Sequence, residues 1–473
     1  MNRLVLLLIV LVACTLRMAV LASGYHAGGS GLLTPDSDDY LRTANTLAWN
    51  GRFATTPDAP AELVRTPGYP LLLAAMARLT GQPPVVEIAG QTVAMPSALR
   101  LTLTVQVLLD CALVVITYLL GVQLCRTAGR AQTVGLLAAA LQATSAVAIA
   151  ASVRVLSDSL FALLLTSALL CLVIALRTRK WSALLGGAVL LAGATYVRPI
   201  GLLLPIPIVI LLLASRRSLM RSAAFAAVFV ACVAPWVVRN SLAGGYPHFS
   251  AIQAVNLYEY NAVAVRAHLA NKPEDAMRLQ ARLEVLVHTD PDQPAQQYRW
   301  EARQGLSVVA AHPLLYTYLH LRSDVHNLLP GITDVLEAAG LTTGQRGTTD
   351  VLKREGLPAA VRHYFGDNRL ALTLAIPSLV LLIVLYAGVA LGAIMNLRLH
   401  MPAELWLILL MILYFLLVPG PQSHPRFRTP VEPLLSIVAA AGIAQLFRRH
   451  AEGTGEKSPQ IHTDDTDSEA DRR

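Results

Sequence analysis

The chain has 473 residues, of which 55% are hydrophobic and only 14% are charged, and its formal net charge is +8. A soluble domain carries about 25% charged residues, so this composition excludes an ordinary soluble protein and indicates a membrane protein. The basic residues lie in short clusters between apolar runs, which is typical of cytoplasmic membrane loops rather than of a nucleic-acid-binding surface. The 5 cysteines lie in or beside apolar segments, so we expect neither a disulfide framework nor a cysteine metal site.

The chain begins with an apolar run, Leu4 to Leu21, that is long enough to form a first membrane span. A cleaved leader ending near Cys14 is the alternative, but the apolar run continues well past that cysteine. We predict an all-α polytopic membrane protein with about ten spans. The predicted spans are 4–22, 98–121, 131–151, 158–176, 181–196, 200–214, 219–238, 371–395, 402–419 and 431–447.

The basic clusters predict the orientation of these spans. With the N-terminus in the cytoplasm, every cluster between spans falls on the cytoplasmic side, as the positive-inside bias requires. The same orientation places residues 23–97, 239–370 and 420–430 outside, in a multi-pass protein of the plasma membrane. The clusters contain Arg126 and Arg130, then Arg177, Arg179 and Lys180, then Arg216, Arg217 and Arg221, then Arg398, and finally Arg448 and Arg449.

We divide the chain into an N-terminal bundle (1–238), an extracytoplasmic helical segment (239–370), C-terminal spans (371–447) and a polar tail (448–473). The first outer loop contains two short amphipathic helices, about 38–49 and 69–79, which we expect to lie along the membrane surface. In the extracytoplasmic segment, Pro273, Pro294 and Pro313 each predict a helix start. Residues 314–329 are predicted to form an interfacial helix, and the acidic tail is predicted to be disordered and cytosolic.

The first outer loop contains three carboxylates within four positions, Asp36, Asp38 and Asp39. One interpretation is local, because Asp36 or Ser37 would cap a helix that begins near Asp38. The other is chemical, because carboxylates beside a membrane need water, a partner or a function.

Two further acidic residues lie near or within predicted spans. Asp158 is expected at the outer end of a span, on the same side as Asp36, and either Ser157 or Asp158 would cap that span. Asp110 lies inside a span, where it needs a partner, and a structural and a functional role are both open.

Several arginines lie on the predicted outer side, against the positive-inside bias. Arg198 follows Tyr196-Val197, and Arg426 and Arg428 lie in the sequence His424-Pro425-Arg426-Phe427-Arg428. A guanidinium group makes two parallel hydrogen bonds to phosphate, although pairing with lipid headgroups is the alternative. Arg65, in the turn sequence Arg65-Thr66-Pro67-Gly68-Tyr69-Pro70, is a weaker candidate, because the motif is also explained by its conformation.

The order of these motifs resembles the GT-C superfamily of integral membrane glycosyltransferases, in the branch of the protein O-mannosyltransferases and the lipid A aminoarabinose transferase. The resemblance covers roughly residues 1–447. It implies that Asp36, four residues before Tyr40, is the catalytic base, and that Asp158 matches a second acidic position and is the second expected catalytic residue. The family's common second acidic residue is replaced by Ser37, so Asp38 and Asp39 are only possible acidic support.

The resemblance also implies the substrates and the site. The donor would be a sugar on a polyprenyl phosphate, and the acceptor a hydroxyl of a glycan, lipid or protein at the outer face. Transfer would be a single inverting displacement. The residues expected to bind substrate or phosphate are Arg65, Tyr69, Arg198, His424, Arg426 and Arg428. No cofactor is expected to be required, and Mg²⁺ or Mn²⁺ shared by Asp36 and Asp158 is the alternative.

Two other functions are compatible with a multi-span chain. A transporter or lipid flippase would explain the spans and Asp110, but it does not explain the charges gathered on one face. A scaffold protein without catalytic activity would leave Asp36 dispensable.

Overall fold

The computed structural model describes residues 2–84, 96–125, 131–214, 219–341, 348–366, 368–396 and 402–454. Within these ranges the regular structure is entirely helical. The α-helices are α1 (Asn2–His26), α2 (Pro35–Asn50), α3 (Gly68–Thr80), α4 (Ser97–Leu124), α5 (Ala131–Thr144), α6 (Ala146–Val153), α7 (Asp158–Thr178), α8 (Trp181–Val197), α9 (Pro205–Ala214), α10 (Leu219–Gly244), α11 (Ile252–Asn256), α12 (Val263–Ala270), α13 (Glu274–His288), α14 (Pro294–Ala311), α15 (Pro313–Asp324), α16 (Ile332–Ala338), α17 (Thr348–Glu355), α18 (Leu357–Phe365), α19 (Arg369–Asn396), α20 (Ala403–Leu417) and α21 (Glu432–Thr454).

Six helices of the described residues are long and apolar enough to cross a membrane, and a seventh candidate is the pair α5 and α6, bent by 55°. Three shorter apolar helices cover 181–197, 199–214 and 403–417. Each predicted span therefore coincides with a helix or a bent helix pair, and an all-α polytopic membrane protein is confirmed. The number of ten remains a prediction, because the three short helices fall below the usual length of a span.

The bundle is held together by apolar helix faces. Helix α7 packs closely on both α4 and α8, and α21 packs on α5 and α19. Leucines on the outward faces of α1 and α19 are exposed, for example Leu4 at 62% and Leu370 at 58%. A soluble protein would hide such a surface, whereas hydrocarbon is a good solvent for it. The exposed leucines are what a lipid-facing surface requires.

The two short helices predicted within residues 23–97 are present. Helices α2 and α3 pack against each other, and α3 also contacts α4 and α8. In residues 239–370, which are predicted to be extracytoplasmic, helices begin at Glu274, Pro294 and Pro313, directly at or after the three prolines that predicted them. The predicted helix 314–329 is an α-helix only as far as Asp324, and a 3₁₀ turn, Val325–Leu328, follows it.

Some predictions lie outside the described residues. These include the basic positions 126, 130, 216, 217 and 398 and the tail beyond residue 454. The side chains at positions 448 and 449 also lie outside the described part of the chain.

Asp110 has a structural partner within the bundle. Its carboxylate forms an ion pair with Arg17 of α1, and neither side chain is accessible to solvent. Arg17 also donates to the backbone oxygens of Ala13 and Ala143, at 3.0 and 2.8 Å. The pair therefore joins α1, α4 and α5, which favours the structural interpretation of Asp110.

We expect Asp110→Asn to destabilise the protein, because Arg17 would remain as a buried charge without a counter-ion. Breaking a buried pair in this way costs about 3–5 kcal/mol, which should lower the melting temperature of the detergent-purified protein by several degrees. Asp38→Asn is the control, because Asp38 forms an exposed ion pair with Arg42 on α2. Equal melting temperatures for the two variants would contradict the assigned role of the Arg17 pair.

Candidate active site

Asp36 lies in the first turn of α2, but it does not cap the helix. The helix begins at Pro35, with Thr34 at the cap position. The Thr34 backbone N–H donates to the Ser37 hydroxyl at 2.8 Å, and the two hydroxyl oxygens lie 3.1 Å apart. The prediction that Asp36 or Ser37 caps a helix beginning near Asp38 is therefore wrong by one turn. Because Thr34 and Ser37 satisfy the helix start, the Asp36 carboxylate is available for other partners.

Those partners are two arginines from distant parts of the sequence. Arg65 donates to one carboxylate oxygen of Asp36 at 2.9 Å, and Arg426 donates to the other. Burial alone would raise the pKa of Asp36, but the guanidinium groups of Arg426 and Arg65 outweigh it and hold this pKa well below its usual range. Asp36 is thus ionised and partly exposed, with 27% of its side chain accessible.

Arg65 is held by its own loop and by α2. It donates to Asp39 at 2.9 Å as well as to Asp36, and it lies over the Tyr40 ring at 4.9 Å. Its backbone N–H donates to the Glu62 carboxylate at 2.9 Å. Arg65 therefore has one defined position between two carboxylates. Asp38 points elsewhere, to the exposed Arg42.

The turn after Arg65 is built to lie against the end of α8. The Thr66 hydroxyl donates to the Val197 backbone oxygen at 3.1 Å. A Cβ added at Gly68 would approach the backbone of Tyr196 and Val197 to 2.8 Å, so only glycine fits there. This contact brings the Arg65 loop beside Arg198 and gives the turn motif a positioning role.

Asp158 and Arg198 form a second ion pair next to the first. Asp158 is the first residue of α7 and only 1% of its side chain is exposed, and Arg198 follows the end of α8. Ser157 is at the cap position of α7 but makes no capping hydrogen bond, and its hydroxyl lies 3.2 Å from that of Tyr40. The second carboxylate oxygen of Asp158 has no hydrogen-bond partner among the described residues.

Phe427 joins the two ion pairs, and sequence reasoning missed it. Its ring lies 5.2 Å from the Arg426 guanidinium carbon and 5.8 Å from that of Arg198. Asp36, Arg426, Arg198 and Asp158 therefore share one site, which we call the arginine–carboxylate site. Four connections between helices build it, and all four are predicted on the outer side of the membrane. The only signal for Phe427 was its place between two arginines.

The remaining predicted residues divide between the edge of this site and the protein interior. His424 is 48% exposed, and its Nδ1 accepts the Arg426 backbone N–H at 3.3 Å. Burial lowers the pKa of His424, and Arg426 and Arg154 act in the same direction against Asp334 and Glu337. His424 thus lies at the edge of the site.

Arg428 and Tyr69 lie inside the protein. Arg428 is 2% exposed and forms an ion pair with Glu432 at 2.8 Å. It also donates to the Asn327 backbone oxygen and the Tyr386 hydroxyl, each at 2.7 Å. Tyr69 is fully buried, and its hydroxyl donates to Gln106. Arg428 makes these contacts away from the arginine–carboxylate site, and Tyr69 packs edge-on against Tyr40 beside the site, so both side chains hold the bundle around it.

The chemistry of the donor set is poorly suited to a divalent cation. Asp36 and Asp158 each pair with an arginine, and these positive charges would repel a metal ion. No group of three His, Cys, Asp or Glu side chains in the described part of the chain is arranged to hold a metal. The prediction that no metal is required remains a prediction.

Part of the chain matches a known family. Residues 97–238 match the family model described as dolichyl-phosphate-mannose-protein mannosyltransferase. This segment runs from α4 into α10 and includes Asp158 and Arg198. No curated protein sequence matches the chain.

Solved structures resemble nearly the whole chain in fold. An Archaeoglobus fulgidus oligosaccharyltransferase tethered to an acceptor peptide has a TM-score of 0.51 at 12% identity, covering 95% of this chain and 50% of that one. The AglB oligosaccharyltransferase from the same organism, with an inhibitory peptide and a dolichol-phosphate, has a TM-score of 0.50 at 13% identity, covering 97% and 52%. ArnT from Cupriavidus metallidurans bound to undecaprenyl phosphate has a TM-score of 0.39 at 15% identity, covering 94% and 78%.

The chain spans about half the length of the oligosaccharyltransferases that it matches. The match of residues 97–238 to the mannosyltransferase family model and the likeness in fold to the oligosaccharyltransferase structures confirm the predicted resemblance to the GT-C superfamily of membrane glycosyltransferases.

Proposed function

We propose that this chain, with its GT-C fold, is a membrane glycosyltransferase of the plasma membrane whose site faces outward. It would move a sugar from a polyprenyl-phosphate donor to an acceptor hydroxyl on a glycan, lipid or protein. The observation that carries the proposal is Asp36, an ionised carboxylate held between Arg65 and Arg426 beside a third arginine, Arg198. One base and several cations in one site match a reaction that deprotonates a hydroxyl and releases a phosphate.

The proposed reaction is one inverting displacement. The acceptor hydroxyl gives its proton to Asp36 as its oxygen attacks the anomeric carbon of the sugar. The bond from that carbon to the phosphate oxygen breaks, and its electron pair stays on the phosphate. The donor phosphodiester carries one negative charge and the departing phosphate monoester carries two, so negative charge grows on the leaving group. Arg426 and Arg198 would stabilise this charge by hydrogen bonds that strengthen in the transition state.

The ion pairs of the free protein explain how the base would become active. A base works best when its pKa lies near the working pH, whereas two guanidinium groups hold the pKa of Asp36 well below its usual range. A donor phosphate would compete with Asp36 for Arg426, whose buried Nε has no partner among the described residues. Donor binding would therefore release the base when the leaving group arrives.

The neighbouring residues have supporting roles in this proposal. Asp158 would orient Arg198 rather than accept a proton, because it is buried and already paired. Asp39 would keep Arg65 in place when Asp36 becomes protonated. His424, at the edge of the site, would donate a hydrogen bond through its Nε2.

The proposal is tested with the purified full-length protein in liposomes. The donors are radiolabelled polyprenyl-phosphate sugars, and the acceptors are extracts of the native cell envelope. The label is expected to leave the polyprenyl phosphate and to appear either in a chloroform-insoluble product or in a lipid product larger than the donor. Movement of the intact donor across the bilayer without transfer of the sugar would favour a flippase and contradict the proposal.

The same assay with EDTA tests metal dependence. We expect transfer to continue within about a factor of two, because guanidinium groups provide the charge that a metal would otherwise supply. Loss of transfer in EDTA and its return on adding Mg²⁺ or Mn²⁺ would show that the arginines are insufficient. The control is EDTA already saturated with Ca²⁺.

A further inference from the structure

A cleft lies beside the loop that carries Arg65, and the reaction proposed above does not use it. Its volume is about 910 Å³, and it is formed by residues 51–61 after α2, 239–245 at the end of α10 and 292–299 at the start of α14. Pockets for small molecules usually measure about 300–1,000 Å³. The cleft is therefore large enough for a ligand the size of a short oligosaccharide.

The cleft is separate from the arginine–carboxylate site. Asp36 lies in the first turn of α2, whereas the cleft is lined by Leu47 in the last turn of that helix and by Gly51 after it. With a rise of 1.5 Å per residue, the helix places Asp36 and Leu47 about 16 Å apart along its axis. A ligand in the cleft does not occupy the position of the transferred sugar.

Three arginines from three segments line the cleft, Arg52, Arg239 and Arg299. Each is held by backbone oxygens: Arg52 donates to Ala59 at 3.3 Å, Arg239 to Glu62 at 2.8 Å, and Arg299 to Gly245 at 2.6 Å. Within the described ranges, none of the three forms an ion pair with a carboxylate. Their charge is therefore fixed in place without a directly paired carboxylate, and Glu62 is close enough to act on the charge of Arg239.

Two carboxylates, Asp58 and Asp292, also line the cleft, and both are exposed. They leave one net positive charge, and they can accept hydrogen bonds from hydroxyl groups. A simple anion would be repelled by them, whereas a polyhydroxylated ligand with an acidic group can satisfy both kinds of side chain. From this combination we propose that the cleft binds an anionic glycan, with its acidic group on the arginines and its hydroxyls on the aspartates.

An occupant would contact the same loop that holds the proposed base partner. Arg239 donates to the backbone oxygens of Phe53 and Glu62, and the Glu62 carboxylate accepts the backbone N–H of Arg65. Binding in the cleft would therefore reinforce the position that residues 53–65 already give to Arg65. This site is defined by binding alone and does not depend on the transfer reaction.

Binding is measured by isothermal titration of the detergent-purified full-length protein. The probes are trigalacturonate, the neutral maltotriose of the same length, inorganic phosphate, and phosphatidylglycerol in nanodiscs. We expect trigalacturonate to bind about tenfold or more tightly than maltotriose or phosphate, because a charge-assisted bond to a guanidinium is stronger than a bond between neutral groups. The double variant R52Q/R299Q is expected to remove this preference.

The matched control is Arg303→Gln, because Arg303 is exposed on the same helix as Arg299 but does not line the cleft. It should leave trigalacturonate binding unchanged, and all variants should melt like the wild type. Equal binding of the charged and neutral trisaccharides, or unchanged binding by R52Q/R299Q, would overturn the proposal. Displacement of trigalacturonate by phosphatidylglycerol at equal concentration would reassign the cleft to lipid headgroups.

Discussion

Asp36→Asn is expected to reduce sugar transfer by about 10²–10⁴-fold, the usual contribution of a general base. An amide has nearly the size of a carboxylate and keeps one acceptor oxygen for Arg65 or Arg426, but it loses the second acceptor oxygen and cannot take the proton of the attacking hydroxyl. The measurement is release of radiolabelled sugar from the polyprenyl phosphate in proteoliposomes that contain equal amounts of folded protein. The loss should lie in kcat, because the donor phosphate is bound by arginines that remain.

The control is Asp38→Asn, two residues away in the same helix turn. Asp38 is 63% exposed and pairs only with Arg42 among the described residues, so its loss should change transfer by less than twofold, about 0.4 kcal/mol. Asp36→Glu should retain part of the activity, since the carboxylate is kept but displaced. Full transfer by Asp36→Asn would remove Asp36 from the mechanism, whatever happens at Asp38.

The helices could be predicted because membrane insertion depends on simple local properties. A run of about 20 apolar residues must form a helix in lipid, where each backbone polar group needs an internal partner. The predicted span 158–176, for example, lies within α7 (Asp158–Thr178). Pro294 and Pro313 marked helix starts correctly, since proline lacks the N–H that a first turn leaves free.

The partners of the charged residues could not be predicted in the same way. Arg426 and Arg428 are two positions apart and were treated as one pair, but they lie on a 3₁₀ turn, Pro425–Val431. At three residues per turn their side chains leave the backbone about 120° apart. Arg426 reaches Asp36, and Arg428 instead reaches Glu432.

The cap of α2 was missed for a local reason. The Ser37 hydroxyl accepts the Thr34 backbone N–H and lies within hydrogen-bond distance of the Thr34 hydroxyl. A threonine followed three residues later by a serine is a weaker sequence signal for a helix start than the usual Ser/Thr-x-x-Glu pattern. The consequence is functional, because a cap supplied by Thr34 leaves Asp36 free to bind two arginines. The orientation predicted from the basic clusters was the one property of the sequence that placed Asp36, Arg198 and Arg426 on the same side of the membrane.

Arg426 is the residue through which donor binding should change the basicity of Asp36. In the free protein Asp36 is ionised at all ordinary pH values, so kcat/KM for the donor should stay flat down to the lowest pH that the protein tolerates. In the donor complex Arg426 binds the phosphate and the nearby negative charge raises the pKa of Asp36. Asp36 must be deprotonated to act, so kcat should fall as pH decreases, and this fall should begin at a higher pH than any fall in kcat/KM.

Arg426→Gln separates this coupling from simple phosphate binding. Loss of one cation raises the pKa of Asp36 in the free protein. The decrease of kcat at low pH and the decrease of kcat/KM at low pH should therefore begin at nearly the same pH. Loss of leaving-group stabilisation should also lower kcat by about 10²–10³-fold. Arg42→Gln is the control, because its guanidinium contacts the exposed Asp38 and should leave both profiles unchanged. If the two decreases begin at the same pH in the wild type, the donor does not displace Asp36 from Arg426, and the base must be activated in another way.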